Sequence, residues 1–186
     1  VYNSEGGRYK GDFTTASTTA TIDMPRVMSQ VSVFLRQDDA VTEEIKISNV
    51  QVSNIPRYSY LIDQQDTDNT NLNLFNGPEF TISASEGDKE YNGKQYHSFP
   101  TAIIAEKSFY KDGADDETKA ADPDNAAYLF INATYGGVPT TYKILLREGD
   151  ANFRLLRNTN YNVYATIKQI GSKGIYVVIE PVKLYN

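Results

Sequence analysis

The chain has 186 residues, with 24 Asp and Glu against 18 Lys and Arg and a formal net charge of −6, so a phosphate backbone is excluded as an expected partner. It contains no cysteine, which removes disulfides, thiolate metal sites and a cysteine nucleophile. Fourteen tyrosines and eight phenylalanines without tryptophan favour strand over helix, and no apolar run approaches the roughly 20 residues that a membrane helix needs.

In chain order, residues 1–19 are rich in Gly, Ser, Thr and charge, and they read as a flexible N-terminal arm. Residues 20–186 read as a single β-sandwich domain. Val1 reads as the start of a mature form or a trimmed fragment. Ile22 and Met24 begin the first regular element, and Pro25 interrupts it. From Val27 to Arg36 a helical stripe competes with alternation at Val31, Val33 and Leu35; the β-branched residues and the missing cap favour a strand. Glu44 to Ser53 is a strand whose apolar phase switches from Ile45 and Ile47 to Val50 and Val52, as a β-bulge does. Pro56 ends it.

Residues 63–78 form a polar loop closing on Gly77-Pro78, and Phe80, Ile82 and Ala84 alternate as a short strand. Residues 86–95 read as a charged connection, and Phe99 to Ala105 as an edge strand opening at Pro100. Residues 111–125 are acidic and read as a mobile surface loop. Ala127 to Tyr135 is apolar on both faces, as in a central strand. Gly136-Gly137 turns it into Thr141–Arg147, and Glu148-Gly149-Asp150 turns again. Tyr161, Val163, Ala165 and Ile167 then alternate with Asn162, Tyr164, Thr166 and Lys168, the period of a strand with a buried face. Gly171 to Gly174 reverses the chain into a last strand from Ile175 to Leu184, so the C-terminal third reads as adjacent antiparallel strands. About eight short strands and no long helix indicate an all-β, antiparallel sandwich.

No catalytic, cofactor or metal residues emerge. His97 is the lone histidine, without the partners a triad requires. Asp63, Asp66, Asp68, Asn69 and Asn71, and Asp112, Asp115, Asp116 and Glu117, supply oxygen ligands without calcium-loop spacing, and acidic loops are ordinarily just solvated. Tyr58, Tyr60, Tyr91, Tyr96 and Tyr110 could stack on sugars, which keeps a cell-surface carbohydrate-binding module open as an alternative; packing over the sheets with wet hydroxyls is the simpler reading. Asn132-Ala133-Thr134 matches a glycosylation sequon but lies within a strand.

AYLFINATYGG, TTYKILLREG and LLRNTNYNVYATIKQIGSKG, in that order, resemble the fimbrillins of Bacteroidetes surface fimbriae. The "Y-x-I-x-L" strand falls at Tyr142, Ile144 and Leu146, and "R-N-x-x-Y-x-V" at Arg157, Asn158, Tyr161 and Val163. Upstream, DMPRVMSQVSVFLR and IKISNVQVSNIP resemble the family's other recurring segment. The resemblance implies a transthyretin-like, Greek-key β-sandwich and a structural or adhesive fimbrial subunit that assembles by strand exchange. It also implies a lipoprotein precursor exported through the outer membrane, other fimbrial subunits as partners with host glycans or proteins as further ones, and no enzyme activity. On that reading the last strand, with Ile175, Val177, Ile179, Val182 and Leu184, lies at the subunit junction, because an apolar edge strand invites pairing.

Overall fold

The alternation at residues 161–167 becomes a strand at the heart of the molecule. The structure, a computed structural model, describes residues 26–57, 74–77, 79–81, 87–107, 124, 126–147 and 152–184. Among these lie twelve strands, more than the eight anticipated because several are only two to four residues long. One sheet runs, in spatial order, β12 (Ile175–Lys183), β11 (Thr159–Ile167), β1 (Met28–Gln37), β7 (Lys94–Ser98) and β6 (Asp88–Tyr91). In this sheet β8 (Ala102–Ala105) pairs the first residues of β1. The second sheet runs β10 (Val138–Leu145), β9 (Tyr128–Tyr135), β2 (Ile45–Ser53) and β5 (Glu79–Thr81). β3 (Ile55–Pro56) and β4 (Leu74–Phe75) make a two-residue ribbon.

Core side chains come from both sheets, which makes the fold a sandwich. Val31, Val33 and Leu35 of β1 and Val163 and Ala165 of β11 meet Val50 and Val52 of β2, Leu129 and Ile131 of β9, and Tyr142 and Ile144 of β10. The anticipated bulge is present: the β2–β9 register shifts between Ile47 and Asn49, which carries the apolar phase across. β9 is central in its sheet, but its burial alternates, with Leu129, Ile131 and Ala133 buried and Tyr128, Phe130 and Asn132 half-buried. Its second face is therefore less closed than its composition suggests.

Three features depart from the sequence reading. First, β1 and β11 are parallel, from Gln30 opposite Asn160 to Gln37 opposite Ile167, while every other described pairing is antiparallel. A parallel pair needs a long crossover, and here the whole second sheet lies between the two strands in sequence. Second, β10 and β11 are not neighbours. The segment between them crosses from one sheet to the other, anchored in the core by Leu146 and Leu155. Third, residues 88–98 are a hairpin, not a connection. Asn92 and Gly93 have φ of 49° and 70°, the two left-handed positions of a type I′ turn.

That hairpin curls over the outer face of the first sheet. Tyr91 stacks on Tyr164 with ring centroids 3.8 Å apart, and Phe34 stacks on Tyr164 from the other side at 4.9 Å. The Tyr91 hydroxyl donates to Glu180 Oε1 at 2.6 Å, which ties the hairpin to the far edge strand. β11 is thus covered on both faces. Ile22, Met24, the arm at 1–19, Ile82, Ala84 and the loop at 111–123 lie outside the described residues.

Candidate assembly edge

Among the described residues the first sheet ends on β12, and the register explains how a proline is tolerated there. Leu184 N–H donates to Asn158 C=O at one end of the β11–β12 ladder, and Lys168 N–H to Gly174 C=O at the other. With an unbroken register between them, the even-numbered residues of β12 turn their backbone groups toward β11, and the odd-numbered ones turn theirs outward. Pro181 is odd, so its missing N–H falls on the free edge and costs no ladder bond.

The predicted junction residues separate into two groups. Ile175, Val177 and Ile179 point to the core side and are only half-buried against it. Val182 faces the other way at 46% exposure, on the same face as Tyr176 at 58% near the strand's other end. Leu184 lies past the end of the strand. Between β12 and the second sheet's edge strand β10 runs a cleft of about 460 Å³, lined by Ile144, Leu145, Val177 and Ile179 among others. One end of it is closed where the β11–β12 turn meets β10: Gly171 N–H donates to Thr140 Oγ1 at 3.2 Å, and the Tyr142 hydroxyl to Gln169 C=O at 3.1 Å.

Two of the other described edges, β6 and β10, differ from β12. Asp88, Lys89 and Glu90 cover β6 with alternating charge, a common protection against unwanted pairing. The inward residues of β10, Tyr142 and Ile144, are already buried. β12 alone of these three combines outward backbone groups with an apolar row still partly open.

The motif residues behind the family resemblance build the corner where β11 begins. Asn158 adopts φ 56° and its N–H donates to Met28 C=O at 3.0 Å. Arg157 Nε donates to Glu106 Oε2 at 2.6 Å, and a second bond joins the same guanidinium to Oε1. The buried Tyr161 accepts the Leu156 N–H on its hydroxyl at 2.8 Å. Tyr142, Ile144 and Leu146 are a continuous row of core side chains. These residues shape and anchor the fold.

The other candidates resolve simply. His97 sits on β7 opposite Asp88, its Nδ1 3.8 Å from that carboxylate and its ring edge-on to Phe99. Tyr91 and Tyr96 are committed to the aromatic cluster on the outer face, with Tyr96 Oη 3.3 Å from Thr166 Oγ1. Asn132 bonds its strand neighbours Asn49 and Thr141. Tyr58, Tyr60, Tyr110 and the acidic groups at 63–71 and 112–117 lie outside the described residues. Among the described residues, no three His, Asp or Glu are grouped to hold a metal ion, and no helix is long and apolar enough to cross a membrane.

Comparison with solved structures finds the same architecture elsewhere. A candidate cell adhesion protein from Parabacteroides distasonis superposes with a TM-score of 0.54 at 14% identity, over 85% of this chain and 52% of its own. The tip fimbrial protein Mfa3 of Porphyromonas gingivalis gives 0.51 at 13% identity, over 86% of this chain and 52% of its own. The chain shares their fold. A candidate cell adhesion protein from Bacteroides eggerthii agrees at a TM-score of 0.50 and 13% identity. The chain spans about half the length of these structures. No protein-family model matches it, and no curated protein matches it.

Proposed function

We propose that this chain is a structural or adhesive subunit of a bacterial cell-surface fimbria, joined to neighbouring subunits by strand exchange along β12. The observation that carries the reading is the half-open apolar row Ile175, Val177 and Ile179 beside a backbone edge that no other described strand pairs. A soluble monomer gains nothing from such an edge, whereas an assembling subunit uses it. The shared fold supports the same reading, since one of its holders is a fimbrial tip protein and others are candidate adhesion proteins. Its partners are then other fimbrial subunits, with host glycans or proteins at exposed surfaces. Its location is the cell surface, reached by export through the outer membrane. No group in the described residues calls for catalysis.

Immunogold labelling of intact cells with antibodies to the chain tests this directly. Gold along surface filaments, lost on deletion of the gene, is the expected result. Label confined to the cell interior, or filaments that never carry it, contradicts the proposal.

A further inference from the structure

The aromatic cluster on the outer face of the first sheet holds two phenols face to face beside a carboxylate. β7 pairs β1 at only two positions, Phe34 opposite Ser98 and Leu35 opposite His97, and among the described strands β6 pairs only β7. Beyond that short seam the Tyr91 ring lies on the ring of the buried Tyr164, 3.8 Å between centroids and 11° between planes. Tyr96 meets both rings edge-on, at 6.2 and 5.5 Å. Tyr91 is only half-buried, so one member of the stack stays within reach of a solute.

The carboxylate matters as much as the stack. Tyr91 Oη donates to Glu180 Oε1 at 2.6 Å. A phenol that loses an electron becomes a strong acid, and a base already hydrogen-bonded to it takes the proton in the same event, which makes the oxidation easier. Glu180 also reaches the second phenol: burial first, and then the Glu180 charge, push the Tyr164 pKa up. Both phenols thus sense one carboxylate. Glu180 is itself half-buried, so it can pass a proton on to water.

The geometry points to Tyr91 and Tyr164 as a site of oxidative cross-linking, where a diffusible one-electron oxidant joins the hairpin to β11 through a dityrosine bond. Two equivalents of the oxidant take one electron from each phenol, and the phenolic protons leave, that of Tyr91 through Glu180. The spin of each phenoxyl radical spreads onto the ring carbons ortho to oxygen. Two such carbons couple across the facing rings, an approach that a stacked pair offers and an edge-on pair does not. The ortho hydrogens then leave as protons while the oxygens are reprotonated. In balance, one C–C bond forms, two C–H bonds break, two electrons go to the oxidant and two protons go to water. The product ties residues far apart in sequence, and such a link restricts the unfolded chain. None of this depends on the fimbrial role.

Brief illumination of the dilute full chain with tris(bipyridyl)ruthenium and persulfate, followed by tryptic digestion and mass spectrometry of the monomer fraction, tests the site. The wild type is expected to yield the peptides carrying Tyr91 and Tyr164 joined with the loss of two hydrogens, and the linked protein should unfold at a higher urea midpoint than the untreated one. Tyr91→Phe keeps the ring and should abolish this product; Tyr164→Phe serves in its place if circular dichroism shows that variant unfolded. Glu180→Gln keeps a hydrogen-bond acceptor for the Tyr91 hydroxyl but removes the base, and should slow the linkage several-fold. Tyr176→Phe alters an exposed phenol outside the cluster and should leave both product and rate unchanged. A monomer whose exposed tyrosines are oxidised while Tyr91 and Tyr164 stay unlinked, linkage of either one to Tyr96 instead, or a Glu180→Gln rate equal to that of the wild type would each overturn the inference.

Discussion

Replacing Arg157 by alanine is expected to cost about 3–5 kcal/mol of stability, a large part of the roughly 5–15 kcal/mol that holds an ordinary domain together. The guanidinium grips the Glu106 carboxylate through two hydrogen bonds. Both side chains are largely withdrawn from water, at 17% and 6% exposure. Removing the cation takes two charge-assisted hydrogen bonds from a buried carboxylate, which is more damaging than losing a surface pair worth about 0–1 kcal/mol. The same change also loosens the corner through which Asn158 ties β11 to β1 and β12. A double variant, Arg157→Leu with Glu106→Leu, removes both buried charges together and should cost less than Arg157→Ala alone. Urea unfolding of the three proteins decides: a loss under about 1 kcal/mol for Arg157→Ala would mean the pair is effectively solvated.

Stability should rise as the pH is taken from about 8 toward 10. Lys107 is 3% exposed. Its ammonium donates to Asn54 C=O at 2.7 Å. Burial pulls its pKa down from 10.5 to about 8. Between those two values the unfolded chain binds a proton that the folded chain has given up, so stability increases with pH across the window. The burden is complete below pH 8, and a shift of this size corresponds to about 3 kcal/mol at most. Tyr91 opposes this at higher pH: its bond to Glu180 raises its pKa from 10 to about 12, and stability from that source is lost as pH climbs from 10 to 12. Urea midpoints at pH 7 and 9.5 should therefore separate in the wild type, and Lys107→Met should flatten the difference. Equal slopes in the two proteins would show that Lys107 stays protonated in the fold.

Local signals in the sequence were reliable wherever one strand and its own face decided the outcome. The alternation at Tyr161 to Ile167 marked β11, and the phase switch between Ile47 and Val50 marked the bulge. Asn92-Gly93 was a legible hairpin signal, but Asp88, Lys89, Glu90, Lys94 and Gln95 give its strands no apolar alternation. The outer-face packing that orders this hairpin comes from Tyr91, Tyr96, Tyr164 and Phe34, brought together only by the fold. The parallel pairing of β1 with β11 had no local trace, because Gln30 and Asn160 meet across most of the chain. Likewise nothing near Arg157 announces Glu106 as its partner. In the candidate site, the odd-numbered apolar row was visible as a pattern. That no described strand lies beyond it is a tertiary fact, set by the sheet order. The separation of Val182 and Leu184 from that row follows from strand period alone and was available from the start.

The most direct test of the account is hydrogen exchange on filaments isolated from cells, compared with the free chain. If β12 is the junction, the backbone amides of Ile175, Val177 and Ile179 exchange rapidly in the free chain and become protected in the filament, while the charged edge at Asp88 to Glu90 is unchanged. Filaments that contain the chain yet leave those three amides as fast as in the free chain would contradict it.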